Sequence, residues 1–321
     1  MKIVYMGTPE FAVPPLKKII EEGYEVAAVF TQPDKPKGRS GKPSPSPVKE
    51  AALEADLTIY QPDRLRDGEN VKLLQDINPD MIVVAAYGQI LPESILNIPK
   101  YGCINIHASL LPKYRGAAPI ERSILDGETV TGVTTMYMAK GLDTGDIIEQ
   151  VSTDIDRNDT GASLRERLSH MGAELIISTM KKLESGTAER TVQDDSMSNY
   201  AKMLSKEMGL IDFNKSSDEI ERQIRALNPW PMSYTKIAGK TAKIYLADSI
   251  SSEELASDFP EIAGTMHSPG EIIVVTKKSF VIACGEGALR IRRLQPEGKK
   301  EMDAASYLNG NKLSIGMKAE F

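Results

Sequence analysis

Four short, nearly unbroken apolar runs, at residues 3–6, 26–30, 81–86 and 103–106, occupy the first third of the chain. Runs of this length without polar alternation suit strands buried on both faces. The intervals between them carry helix-period patterns at 14–22, 48–55 and 70–77, and Gly23 is placed to end the first of these. Strand–helix–strand at this spacing requires right-handed crossovers, and therefore an α/β domain with a doubly wound, mostly parallel sheet. Segments 132–138 and 146–155 extend the sheet, and 160–183 reads as a long amphipathic helix that closes the domain.

The pattern then changes. Residues 184–206 are polar and suit a linker, and a helix at 217–227 is stopped by Asn228-Pro229-Trp230-Pro231. Short strands follow at 233–237, 242–246, 271–275, 280–284 and 288–294, separated by glycine turns. Closely spaced short strands predict a small antiparallel barrel, OB-like in size. With 321 residues there is material for two domains. The expected division is a first domain over 1–189, a linker over 190–206 and a barrel domain over 207–321. Trp230 is expected to be buried at the junction of helix and barrel.

Charge separates the two parts. Residues 1–205 hold 23 Lys and Arg against 29 Asp and Glu, whereas residues 206–321 hold 16 of each. The second part can therefore present a basic face, and Arg290, Arg292, Arg293, Lys299 and Lys300 are its densest group. Two cysteines without a CxxC pair and three histidines make a disulfide framework and a structural zinc site poor expectations, and no metal is expected. No apolar stretch approaches the ~18 residues of a membrane span. The first residues run directly into a strand and not into a signal-peptide core, so a cytoplasmic protein without membrane attachment is expected.

The turn Gly7-Thr8-Pro9-Glu10 follows the first strand but has neither a GxGxxG nor a P-loop lysine, and reads as a tight strand-to-helix turn. The stretch Asn105-Ile106-His107-Ala108-Ser109-Leu110-Leu111-Pro112 is more informative. Residues two apart on a strand share a face, so Asn105 and His107 project together near the carboxyl end of a central strand, where open α/β sheets place ligands. A later glycine-flanked loop, Gly141-Leu142-Asp143-Thr144-Gly145, offers a carboxylate. The set Asn105, His107 and Asp143 contains no Ser or Cys nucleophile of its own, which argues against covalent acyl transfer. Direct attack of an amine on a carbonyl carbon, with a stabilised tetrahedral oxyanion, fits them.

In these residues, and in Thr31-Gln32-Pro33-Asp34, Arg115-Gly116-Ala117-Ala118-Pro119-Ile120 and the stretch from Ile224 to Met232, the chain resembles the formyltransferases that use 10-formyltetrahydrofolate. It is most similar to the branch that formylates the methionine carried by initiator tRNA. The resemblance runs from residue 2 to about 310. It implies a Rossmann-like catalytic domain and transfer of the formyl group from N10 of the folate, as co-substrate, to the α-amino group of methionyl initiator tRNA. By position, Asn105, His107 and Asp143 match the family's catalytic trio. The reaction needs oxyanion donors, a part suited to Asn105 and His107, and a group that orients His107 and accepts the amine's proton, a part suited to Asp143. Ser109, Leu110, Leu111 and Pro112 match the folate-binding segment.

A proline-rich stretch over 31–49 carries Lys35, Lys37, Arg39, Lys42 and Lys49 in an otherwise acidic domain, a basic arm able to meet phosphate. The resemblance implies that this arm contacts the tRNA acceptor end, with Arg39 its key arginine and Lys35, Lys37 and Lys42 beside it. It implies initiator tRNA and folate as partners, and a monomer is expected. Two other readings remain at this point: formyl transfer to a small amine, such as an amino sugar nucleotide or glycinamide ribonucleotide, and a folate- or RNA-binding module without catalysis.

Overall fold

The computed structural model describes residues 1–36, 43–262 and 264–320. Its residues cluster into two units: one comprises residues 1–119, 130–154 and 164–202, the other residues 120–129, 155–163 and 203–321.

The first unit is built on a seven-stranded sheet. Its strands are β1 (Lys2–Gly7), β2 (Glu25–Phe30), β3 (Ile59–Tyr60), β4 (Met81–Ala85), β5 (Cys103–His107), β6 (Val130–Tyr137) and β7 (Ile147–Asp154), in the order β7-β6-β5-β4-β1-β2-β3. The pairs from β3 through to β5 are parallel, while β5–β6 and β6–β7 are antiparallel. The expected doubly wound, mostly parallel sheet is therefore present. The four anticipated runs are mostly buried because both faces are covered, although Ala86 at the end of the third is exposed and Asn105 in the fourth is half-buried. Val4, Met6, Phe30, Ile82 and Val84 enter one core. Ile3, Tyr5, Val29, Val83 and Ile104, of the opposite parity, are equally buried.

Three helices cross the sheet: α1 (Val13–Glu21), α2 (Pro47–Glu54) and α3 (Gly68–Ile77). Pro14 and Pro15 start α1, where the first N–H groups need no helical partner. Gly23, at φ 80°, ends it. Ser46 caps α2 by accepting from the Lys49 N–H at 3.1 Å. The long helix α5 (Gly161–Ser185) buries Leu164, Leu168, Ile176, Met180 and Leu183 at helical spacing, and Gly172 brings it against Ile106 of β5. The short helix α4 (Pro119–Leu125) precedes β6.

The second unit holds a six-stranded antiparallel sheet. Its strands are β8 (Ser233–Ile237), β9 (Lys240–Ile250), β10 (Ile272–Val275), β11 (Phe280–Ala283), β12 (Ala288–Pro296) and β13 (Met302–Asp303). The order is β8-β9-β12-β11-β10, with β13 on β12. The antiparallel sheet matches expectation, but the described ladders do not join β8 to β10. Instead residues 316–320 bond both edges: Ala319 N donates to Gly270 O, and Glu320 N donates to Lys236 O. Helix α6 (Ser217–Ala226) starts at a capping box formed by Ser216 and Glu219, and its Ile220 and Ile224 enter the sheet's core.

The expected boundaries differ from this division in two places. Residues 190–202, read as linker, lie in the first unit, where Tyr200 and Ala201 form a short parallel ladder with Arg115 and Gly116. Segments 120–129 and 155–163 belong to the second, where the Arg225 guanidinium donates to Asp159 O and Ala162 N donates to Asn228 O. Trp230 is not buried: it is 51% exposed, and Leu227 and Met232 fill the core beside that turn instead. The flanking prolines fix their own backbone and not the direction of the Trp230 side chain.

Candidate active site

Strand β5 lies inside the sheet between β4 and β6, and the pleat directs Asn105 and His107 to one side. Asn105 is half-buried and His107 is only 6% exposed. The loop between β6 and β7 brings Asp143 to both. Asp143 Oδ1 lies 3.5 Å from the Asn105 amide nitrogen, and Asp143 Oδ2 lies 3.7 Å from His107 Nδ1. Its Oδ2 also accepts from the Gly116 N–H at 2.8 Å. The expected trio is thus one cluster.

Two glycines make the approach possible. A Cβ on Gly145 would sit 1.7 Å from the Tyr137 carbonyl oxygen, so the loop can turn this tightly only with glycine there. Gly116 has φ 116° and is pressed against Tyr200, which lets its N–H reach the carboxylate. Asp143 itself has φ 52°, a left-handed conformation that a non-glycine residue holds only where its surroundings enforce it.

His107 Nε2 lies 2.9 Å from the Tyr114 carbonyl oxygen. A carbonyl can only accept, so this contact assigns the ring proton to Nε2 and turns Nδ1 toward Asp143. Tyr114 is held in turn by Asn199, whose side-chain oxygen accepts its N–H.

The segment after His107 is secured from β6 and β7. The Thr134 hydroxyl donates to Ser109 O at 2.6 Å, accepts from the Leu111 N–H at 3.2 Å, and accepts from the Gln150 amide at 2.9 Å. That amide also donates to Leu111 O at 2.9 Å. Ser109 and Leu111 are buried, whereas Leu110 and Pro112 are half-buried and offer the accessible apolar surface. A cavity of about 550 Å³ opens at the opposite, amino end of β5, lined by Tyr101, Cys103, Tyr137 and Arg190 and by no member of the trio.

Of the basic arm, Lys35 is described and exposed, on a two-residue ladder with Ser44, while Lys37, Arg39 and Lys42 lie outside the described residues. Lys49 is not available to phosphate: its ammonium sits 2.7 Å from Asp34, and Gln61 donates to the same carboxylate at 2.8 Å. These two hydrogen bonds, Lys49 first, hold the Asp34 carboxyl below its ordinary range. In the second unit the arginine group is likewise paired, Arg290 with Asp258 at 2.7 Å, Arg292 with Asp248 at 2.6 Å and Arg293 with Glu301 at 2.5 Å. Lys299 and Lys300 are exposed and have no ion-pair partner among the described residues.

Tyr114, Thr134, Gln150, Gln193 and Asn199 escaped the reading of the sequence. Each acts on the site through contacts 7 to 85 residues away in sequence, with no motif to mark it.

A trio of Asn, His and Asp over the edge of such a sheet suits direct transfer of an acyl group to an amine. The family described as formyl transferase matches residues 1–180, and the formyl transferase C-terminal domain matches residues 203–312. The chain belongs to the formyl transferase family. Among relatives of this formyl transferase, the methionyl-tRNA formyltransferase of Lachnospira eligens is 52% identical over 317 residues, covering 99% of both chains. The protein of the same name from Alkaliphilus metalliredigens is 48% identical over 317 residues. Two solved structures share its fold: WlaRD, a sugar 3N-formyl transferase (TM-score 0.64, 22% identity, 94% of this chain and 99% of that one), and HypX from Aquifex aeolicus with tetrahydrofolic acid (TM-score 0.63, 16% identity, 99% of this chain and 50% of that one).

Proposed function

We propose that this enzyme transfers the formyl group of 10-formyltetrahydrofolate to the α-amino group of methionyl initiator tRNA, in the cytoplasm and as a monomer. The observation that carries this reading is full-length identity of 52% to a protein named methionyl-tRNA formyltransferase. Asn105, His107 and Asp143 are the catalytic residues in this proposal. The amine nitrogen attacks the formyl carbon, the C–N10 bond breaks, and the amine proton must leave while N10 gains one.

Asn105 presents amide N–H groups to the developing oxyanion. The His107 Nε2–H is engaged by Tyr114 O, so the ring faces the oxyanion only by leaving that carbonyl. Its Nδ1 and the Asp143 carboxylate, 3.7 Å apart, form the pair suited to take the amine proton and return it to N10. Ser109, Leu110, Leu111 and Pro112 are proposed to bind the folate, with Leu110 and Pro112 supplying the apolar contact. Lys35, Lys37, Arg39 and Lys42 are proposed to bind tRNA phosphates, and the second unit to hold the tRNA through lysines such as Lys299 and Lys300 rather than through its paired arginines.

The test is competition for the acceptor. With 10-formyltetrahydrofolate and equal amounts of charged initiator tRNA, an amino sugar nucleotide and glycinamide ribonucleotide, mass spectrometry should find formyl only on the tRNA-borne methionine. Formylation of either small amine at a comparable rate would replace this reading, and no formylation at all would leave a binding module.

A further inference from the structure

We propose that Gln193 is a positioning residue that sets the Asp143 carboxylate for catalysis; the inference rests on the reading of Asp143 as a member of the catalytic trio. Gln193 is 9% exposed and lies in the polar stretch that the sequence presents as a linker. Its side-chain amide donates to Asp143 O at 2.8 Å and to Gly145 O at 2.7 Å, so both of its N–H groups hold the catalytic loop. Its Oε1 accepts from Arg115 Nε at 3.1 Å and Nη2 at 2.9 Å. The guanidinium can only donate and the two carbonyls can only accept, which leaves one orientation for the amide. Arg115 is itself held by Asp195 at 2.8 Å.

Why the loop needs this grip follows from its backbone. Asp143 sits at φ 52°, and Gly145 is packed against the Tyr137 carbonyl. A non-glycine residue left to itself would relax out of the left-handed region. Gln193 binds the carbonyls on either side of Thr144, and so fixes the backbone that aims Asp143. The Gly116 N–H secures the carboxylate end. The same segment supplies Asn199, which holds Tyr114, the acceptor for His107. A stretch without chemistry of its own therefore sets the geometry of two catalytic groups.

The test compares the full-length enzyme with Gln193→Ala, Gln193→Glu, Asp143→Asn and the Gln193→Ala/Asp143→Asn double variant in steady-state formylation. Displacing a catalytic group by an ångström costs up to about 100-fold, so each Gln193 variant should lower kcat by about 10- to 100-fold. KM for both substrates should stay within about twofold, as for an interaction that matters only in the transition state. Gln193→Glu keeps the volume and the Arg115 contact, but its carboxylate cannot donate to two carbonyls, so it carries the test if the alanine variant unfolds. The double variant should be no slower than Asp143→Asn, because Gln193 acts through Asp143. Wild-type kcat in Gln193→Glu beside an inactive Asp143→Asn overturns this inference and leaves the trio standing. So do losses that multiply in the double variant. Full activity in Asp143→Asn overturns the trio itself, and the inference with it.

Discussion

Thr134→Val removes one hydroxyl and keeps the shape of a fully buried side chain. That hydroxyl makes three hydrogen bonds, to Ser109 O, Leu111 N and the Gln150 amide. The Leu111 carbonyl keeps its own bond to Gln150, so the segment loses part of its support and not all of it. A typical buried hydrogen bond contributes about 0.5–1.5 kcal/mol net, and an orphaned buried N–H costs about 1–3 kcal/mol. The losses are coupled, so their sum is an upper bound, and about 2–4 kcal/mol is the working figure. For a unit of this size each kcal/mol shifts Tm by about 2–4 °C, which gives a drop of roughly 4–16 °C by scanning calorimetry. The function should change specifically. With the 109–112 segment loosened, KM for 10-formyltetrahydrofolate should rise about tenfold while KM for the tRNA stays put, since one lost buried hydrogen bond of about 1.4 kcal/mol is a factor of ten. Thr134→Ser restores the hydroxyl and should recover most of the folate affinity. A Thr134→Val enzyme with lowered Tm but unchanged folate KM would refute the assignment of this segment to folate.

Alanine at Asn105, His107 or Asp143 should each lower kcat by about 100-fold or more, as loss of an oxyanion donor or a positioned base does, with melting curves showing the fold intact. Arg39→Ala should reduce the salt slope of tRNA binding by about one phosphate, and Arg39→Lys should retain part of the affinity; filter binding across salt concentrations reads both, and an unchanged slope removes Arg39 from the interface. Burial pushes the Cys103 and Cys284 thiols up to about 12, so iodoacetamide at pH 8.5 should label them only after denaturation. The folded chain keeps these protons where the unfolded chain, with an ordinary value of 9.0, gives them up, so their contribution to stability should decline as pH climbs from about 9 toward 12.

The sequence by itself determined the parallel half of the sheet. Its apolar runs are long enough to be buried on both faces, and the helix patterns between them leave one handed way to connect them. It also determined that Asn105 and His107 share a face, because the pleat has a period of two. The turn at Gly23 was legible for the same reason: it is a local rule written within a few residues. Tertiary structure decided everything that depends on residues far apart. Asp143 reaches His107 only because Gly145 lets its loop turn against Tyr137. Residues 190–202 read as polar linker, yet their polarity serves Gln193 and Asn199 in bonds to carbonyls and N–H groups that composition cannot foresee. Arg290, Arg292 and Arg293 form a basic cluster in sequence, but Asp258, Asp248 and Glu301 meet them in space, so their charge is balanced in the fold. Charge and polarity are visible in a chain; which partner satisfies them is settled only when the chain packs.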